Sequence, residues 1–430
     1  MILIIFGVFG SGVTIRNRRA VEAANRADQQ AVPAGLRARV ASAPADALLV
    51  LQQRVRSRPD DFGAWASLGS AYLERARSTG DPSWYPKAEG SYQQSLDTGP
   101  AGNFLAEAGM AVLASARHDF VGALQWAQKA AASNPDAPAV LAARGDALVE
   151  LGRYDEAFDD FQRLVNLRPD TAAYARVSYA RELQGDMAGA LAAMELARDA
   201  AGTRSERAFA DHYLGEIQFS RGSVDEAVSL YRRAGTVDPE FVLPEGGLAR
   251  SRWAQGRPDE AVEAYRKVLN RLPSPQYGRE LGDLFTTLGR GDEAQATFDL
   301  LEAQRRILAA NGVSSDLELA LFSADHAIRL DEGLAAVEAM WSTGRRSIQV
   351  ADARAWQLYA HGRYNEALVM ADEALKLGTA NASFYYHRGM IRSALGRTDE
   401  ARQDLSEALR INPYFSIGQS ARAKAALAAF

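Results

Sequence analysis

Residues 152–157 read Gly152-Arg153-Tyr154-Asp155-Glu156-Ala157, and the phrase returns as Gly256-Arg257-Pro258-Asp259-Glu260-Ala261, Gly362-Arg363-Tyr364-Asn365-Glu366-Ala367 and Gly396-Arg397-Thr398-Asp399-Glu400-Ala401. Looser copies end at Ala123, Ala190, Ala227 and Ala294. With Ala88 and Gly333 these phrase-final small residues form a series of ten, separated by 35, 34, 33, 37, 34, 33, 39, 34 and 34 residues. A fixed period of this size is the mark of a stacked array in which each unit buries its apolar face on its neighbours.

The residues around each marker agree with that period. Four positions on comes a large side chain (Tyr92, Phe161, Met194, Tyr231, Tyr265, Phe298) or, in the last copy, Leu405. Helical i, i+4 and i+7 spacing keeps these on one face, so they read as core knobs and not as a cofactor box. Pro135, Pro169, Pro239, Pro273 and Pro413 each fall twelve residues after a marker and end a unit by disfavouring helix in the residue before them. Ahead of the first marker, Trp65, Leu68, Gly69 and Tyr72 spell W-x2-L-G-x2-Y, and Gly145, Gly215, Gly282 and Gly389 recur at the same glycine position.

Period and phrase together resemble the tetratricopeptide repeat, a helix–turn–helix unit of 34 residues, from about Ala45 to the end of the chain. The resemblance implies an all-α fold: a right-handed α-solenoid superhelix of ten copies over residues 62–416, the eighth degenerate. Residues 45–61, where Ala47, Leu51 and Val55 repeat the second-helix pattern alone, read as a capping half-repeat, and 417–430 as a C-terminal capping helix. Between Tyr72 and Ala88 lie seven residues more than the family has, so a protruding loop is expected around Gly80-Asp81-Pro82. A bend or interruption is expected at the seventh and eighth copies, where a long second helix is followed by a unit lacking most signature residues.

Residues 1–15, MILIIFGVFGSGVTI, are apolar and precede Arg16, Arg18 and Arg19. As a helix they would rise about 22 Å, short of the ~30 Å hydrocarbon core, and the charge lies on the wrong side for an intact signal peptide. The segment reads as a membrane anchor or the remnant of an export signal, with a docked apolar terminus on a cytoplasmic protein as the alternative. Residues 16–44 read as a flexible tether. The side of the membrane stays open.

Composition narrows the function. A net charge of -5 with both signs interspersed gives no field for nucleic acid. No cysteine is present, and the five histidines fall in different copies with no HExxH, GxSxG or P-loop spacing. Asp325-His326, an acid–histidine neighbour pair, sits about 100° apart on a helix. The chain is therefore read as a non-enzymatic protein with no cofactor and no metal site. An enzymatic reading survives only if folding brings His212, Glu216 and Asp283 together.

In the family resembled, first helices line the concave groove, and the matching positions here form a candidate partner-binding surface. Copies four and five supply Arg176, Tyr179, Glu182, His212, Tyr213 and Glu216, with Phe219 a turn further on. The sixth and seventh supply Arg250, Trp253, Arg279, Glu280 and Asp283. The ninth and tenth supply Asp352, Trp356 and Tyr359, then Tyr386, His387 and Met390. Aromatic and arginine side chains dominate binding energy at interfaces, although Tyr213, Phe219 and Trp253 equally suit packing between helices. The lysine–asparagine clamp with which some family members grip a peptide carboxylate is absent, its places held by residues such as Ala66, Ala108, Ala142 and Asp146. The reading is a scaffold binding a protein or peptide partner in its groove; the alternative is a small molecule or saccharide stacked on Trp253, Trp356 and Tyr386.

Overall fold

A computed structural model describes residues 44–430, and the expectations for residues 1–15 and 16–43 lie outside it. Among the described residues there are twenty-two α-helices, one 3-10 turn and no strand. Ten antiparallel helix pairs run from Phe62–Thr79 with Tyr85–Thr98 to Ala382–Ala394 with Thr398–Ile411. Helix Pro44–Ser57 precedes them and Gln419–Ala428 follows. No described helix is long and apolar enough to cross a membrane.

The spacing of the pairs follows from a ring held between two glycines. Tyr231 is fully buried on its second helix; a Cβ at Gly215 would lie 2.6 Å from it and one at Gly247, in the next copy, 2.5 Å. Tyr92 is held in the same way between Gly69 and Gly109. A side chain at either glycine would push adjacent copies apart, so the glycines set the closeness of stacking. Most of the markers are fully enclosed: Ala123, Ala157, Ala190, Ala227, Ala261, Ala367 and Ala401 have no exposed surface.

The expected protruding loop in the first copy is absent. The extra residues lengthen the first helix to eighteen residues, Phe62–Thr79, and form the 3-10 turn Pro82–Trp84, whose Trp84 stacks on Tyr72 at 5.7 Å. At the seventh copy the second helix, Gly291–Ala310, runs to twenty residues. Its junction with Asp316–His326 is filled by side chains: Phe298 meets Phe322 at 5.1 Å and His326 at 4.8 Å, and Glu302 holds Arg329 at 2.8 Å. In the eighth copy two non-glycine residues, Ala327 and Arg329, take left-handed φ at the turn. Close backbone packing between adjacent copies is sparsest at this junction, which the side chains of Phe298, Phe322, Glu302 and Arg329 bridge.

The superhelix completes a turn and closes on itself. Turns inside early copies meet turns between late ones at separations of 193 to 197 residues. The Ser314 amide donates to the Arg117 carbonyl at 3.0 Å, the Ile348 amide to the Tyr154 hydroxyl at 2.8 Å, and Asn412 Nδ2 to the Phe219 carbonyl at 2.8 Å. Thr379 donates to the Leu183 carbonyl, and Arg345 pairs with Glu150 at 2.9 Å. The apolar core crosses the same seam, where Tyr154, Tyr179 and Leu183 cluster with Ile348, Ala351 and Phe384.

Glycine is needed on this seam for more than its turn. Gly152 and Gly185 both have φ of 75°, and a Cβ on either would lie 2.3 Å from a carbonyl oxygen of the other superhelical turn, that of Arg346 or Gly378. At the corresponding turn of the second copy a non-glycine residue, His118, takes φ of 62°. Its ring makes a cross-seam hydrogen bond to the Ser314 carbonyl, which offsets the cost of that conformation.

Gly247→Ala is expected to lower stability by about 1–3 kcal/mol through its clash with Tyr231. Urea unfolding checks this; an unchanged midpoint would show that the glycine–tyrosine contact does not set the stacking distance.

Candidate functional site

Closure of the superhelix turns its concave groove into a central channel of about 360 Å³. First helices of copies three to ten, the long second helix Gly291–Ala310 of the seventh copy and the segment Tyr414–Ile417 after the last pair supply most of its wall. Nine residues named from the sequence line it: Tyr179, His212, Tyr213, Glu216, Arg250, Trp253, and beyond them Arg279, Asp283 and His387. Glu182, Phe219, Glu280 and Asp352 line it as well.

Five others named from the sequence sit elsewhere, Met390 among them beside the Trp356–Tyr386 cluster. Arg176 is 2% exposed and bonded bidentately to Asp146, at 2.8 and 2.7 Å, between adjacent first helices. Trp356 lies between Tyr359 at 4.7 Å and His387 at 4.2 Å, both stacked, and its indole N–H donates to Asp325 at 3.0 Å. Tyr386 is 1% exposed in the same cluster. In these places aromatic character serves packing.

The channel's middle is a charge network built on three first helices. Arg250 holds Glu216 at 2.6 Å and approaches Glu280 at 3.8 Å. The same carboxylates accept from buried tyrosines of their own copies: Tyr231 to Glu216 at 2.7 Å and Tyr265 to Glu280 at 2.9 Å. Burial alone would raise the Glu216 carboxyl, but the Arg250 guanidinium outweighs it and holds the pKa down at about 2. Removing Arg250 would strand two carboxylates among buried tyrosines, so Arg250 acts in the wall itself. Further along, Arg279 faces Asp283 at 3.6 Å and Asp325 at 3.9 Å.

His212, Glu216 and Asp283 do not form a working triad. His212 Nε2 stands 4.0 Å from Glu216, which is committed to Arg250 and Tyr231, while Asp283 faces His326 at 3.0 Å. Asp325 turns away from its neighbour His326 toward Trp356 and Gln419. Among the described residues no group of His, Asp and Glu could hold a metal ion.

Two groups in the wall are held away from their ordinary ionisation. Burial lowers the His212 pKa to about 4, against the pull of Glu216. Burial, reinforced by the Glu216 charge, raises Glu182 to about 7. His212 is 2% exposed and its Nδ1 has no hydrogen-bond partner.

Several wall residues escaped the sequence reading. Glu318, Gln349, Tyr414 and Phe415 line the channel. For Tyr414 and Phe415 a signal existed. The other four marker prolines are followed by Asp136, Asp170, Glu240 and Ser274, whereas Pro413 leads into two aromatic residues. Trp253 meets Tyr414 edge-on at 6.4 Å across the seam. Glu318 and Gln349 carry no such signal, because the eighth copy lacks the motif and Gln349 faces the channel only through the closure.

A sequence comparison shows the type of chain. The tetratricopeptide repeat family profile matches residues 109–175, 142–206, 247–309 and 353–414, together more than half of the chain. No curated protein matches it. Similar solved structures include the human IFIT1 dimer with PPP-AAAA, 13% identical with a TM-score of 0.47, covering 93% of this chain and 96% of that one. The Cut9–Hcn1 hetero-tetramer of APC/C is 14% identical with a TM-score of 0.43, covering 94% and 86%. A tetratricopeptide repeat protein from Parabacteroides merdae is 20% identical with a TM-score of 0.36, covering 60% and 97%.

Because His212 refuses a proton in the folded chain that it accepts above pH 6 when unfolded, its folded pKa of about 4 lies below the ordinary 6.5. Between pH 6.5 and 4 the unfolded state therefore binds more protons, and stability falls as pH drops through that window. His212→Phe, which keeps a ring among Tyr213, Tyr231 and Phe241, is expected to gain on the wild type by on the order of 2–3 kcal/mol between pH 7.5 and 4.5. Denaturant unfolding at the two pH values reads this directly; a constant difference contradicts the assignment.

Proposed function

This chain belongs to the tetratricopeptide repeat family, and from that premise we propose that it is a non-enzymatic interaction scaffold holding an extended segment of a protein partner in its central channel. The observation that carries the proposal is the channel itself. It is bounded by the closed seam, lined by Tyr179, Phe219, Trp253 and Phe415 among charged groups, and built chiefly from the first helices of eight copies. An extended strand fits such a passage where a folded domain does not.

The charged groups support binding over chemistry. Arg250, Glu216 and Glu280 satisfy one another, and none is paired as nucleophile and base. Aromatic side chains framed by fixed polar groups are what a peptide groove needs.

The volume, about 360 Å³, favours a second reading in which a small organic molecule or saccharide is enclosed there. A ligand at a hundred times its Kd stabilises its protein by about 2.7 kcal/mol, so a thermal-shift screen of metabolites and glycans separates the two readings.

The peptide reading is tested by photo-crosslinking in the organism's own extract. A benzophenone amino acid at Trp253, in the channel, is expected to trap a discrete protein partner. The same group at Leu196, 49% exposed on a second helix, is expected to trap none. Equal adducts at both positions, or adducts at Leu196 alone, would refute channel binding.

A further inference from the structure

The charge of the channel wall is unbalanced, and its imbalance has a location. Nine carboxylates line it against five guanidiniums and no lysine. Each guanidinium is already within 4 Å of a carboxylate: Arg250 with Glu216, Arg279 with Asp283, Arg305 and Arg329 with Glu302, Arg345 with Glu150. No cation of the wall is left to neutralise the surplus.

That surplus includes Glu182 and Glu318. Among the described residues neither has an ion pair, and Glu318 Oε2 is buried without a hydrogen bond. A second observation points the same way. His212, 2% exposed, stands in the wall one turn before Glu216 on the same helix, with a ring nitrogen that meets no partner. An unsatisfied buried polar atom costs about 1–3 kcal/mol, a cost that a ligand supplying the missing partner removes. Carboxylates and a neutral imidazole accept hydrogen bonds. Their complement is a donor-rich cation.

The aromatic part of the wall fits the rest of such a ligand. Trp253, Tyr414 and Phe415 are half-buried and line the same channel. Lysine and arginine carry aliphatic stems that pack on such rings and cationic heads that the ring faces attract. An anionic segment or a nucleic-acid strand would meet surplus carboxylates in a low-dielectric passage and be repelled.

We infer that the channel selects a positively charged partner: an extended polypeptide segment bearing lysine or arginine, with its cation received at Glu182 and its stem against Trp253 and Phe415. The inference rests on the peptide reading above and adds the chemistry of the partner.

The test is selection of random twelve-residue peptides displayed against the full chain, followed by fluorescence anisotropy of the enriched peptides. The expected pool carries more Lys and Arg than Asp and Glu. Replacing the key Lys by norleucine, or making Glu182→Gln, is expected to weaken binding about tenfold. Glu318→Gln is made alongside, since neither substitution removes a partner from a neighbouring cation. Peptides that crosslink at position 253 but show no cationic excess overturn the charge inference and leave the peptide reading standing. So does affinity unchanged by both substitutions. A selection that enriches no peptide at all overturns both.

Discussion

Backbone pressed on backbone at Gly152 and Gly185 is the contact on which the shape of the molecule depends. Only a bare α-carbon lets the turns of the third and fourth copies reach the carbonyls of Arg346 and Gly378. The ties beside them, Arg345 to Glu150 and the Ile348 amide to Tyr154, are buried. Each removes polar groups that a solenoid with separated turns would leave to water. Without this seam the concave face would be an open groove along a spiral. With it, copies five or six apart are tied edge to edge and the first helices enclose a narrow passage.

That passage gains its character from electrostatics settled locally. Three first helices place Glu216, Arg250 and Glu280 in succession, and the tyrosines behind them donate to the two carboxylates. Charges so deeply placed tolerate burial only when paired and hydrogen-bonded. Their mutual satisfaction fixes the wall, leaving Glu182, Glu318 and His212 as the groups with capacity to spare.

The ten helix pairs were legible in the sequence because each depends on contacts close in the chain. The marker alanines and the rings four residues on, such as Tyr92, Phe161 and Tyr231, touch only their own copy and the next. Their spacing therefore appears as a 34-residue period. The seam was not legible, since it arises from small rotations accumulated over nearly six copies, and its residues have no period of their own. Arg345 and Thr379 look like ordinary turn residues until Glu150 and Leu183 arrive beside them. The insertion in the first copy illustrates the same limit. An excess of residues reads as a loop, while helix Phe62–Thr79 and the Trp84–Tyr72 stack absorb it into the first helix pair. For the candidate site, helical position identified much of the channel lining. It could not separate those residues from Arg176, Trp356, Tyr359 and Tyr386, whose neighbours capture them first.

The central claim is that the superhelix is closed, and the chain's lack of cysteine makes it directly measurable. Arg153 and Arg346 are both exposed and flank the Gly152 contact. With spin labels on cysteines introduced at these two positions, pulsed electron–electron resonance is expected to give one short, narrow distance distribution. A long or broad distribution, of the kind an open solenoid with freely separating turns produces, would contradict closure and with it the channel.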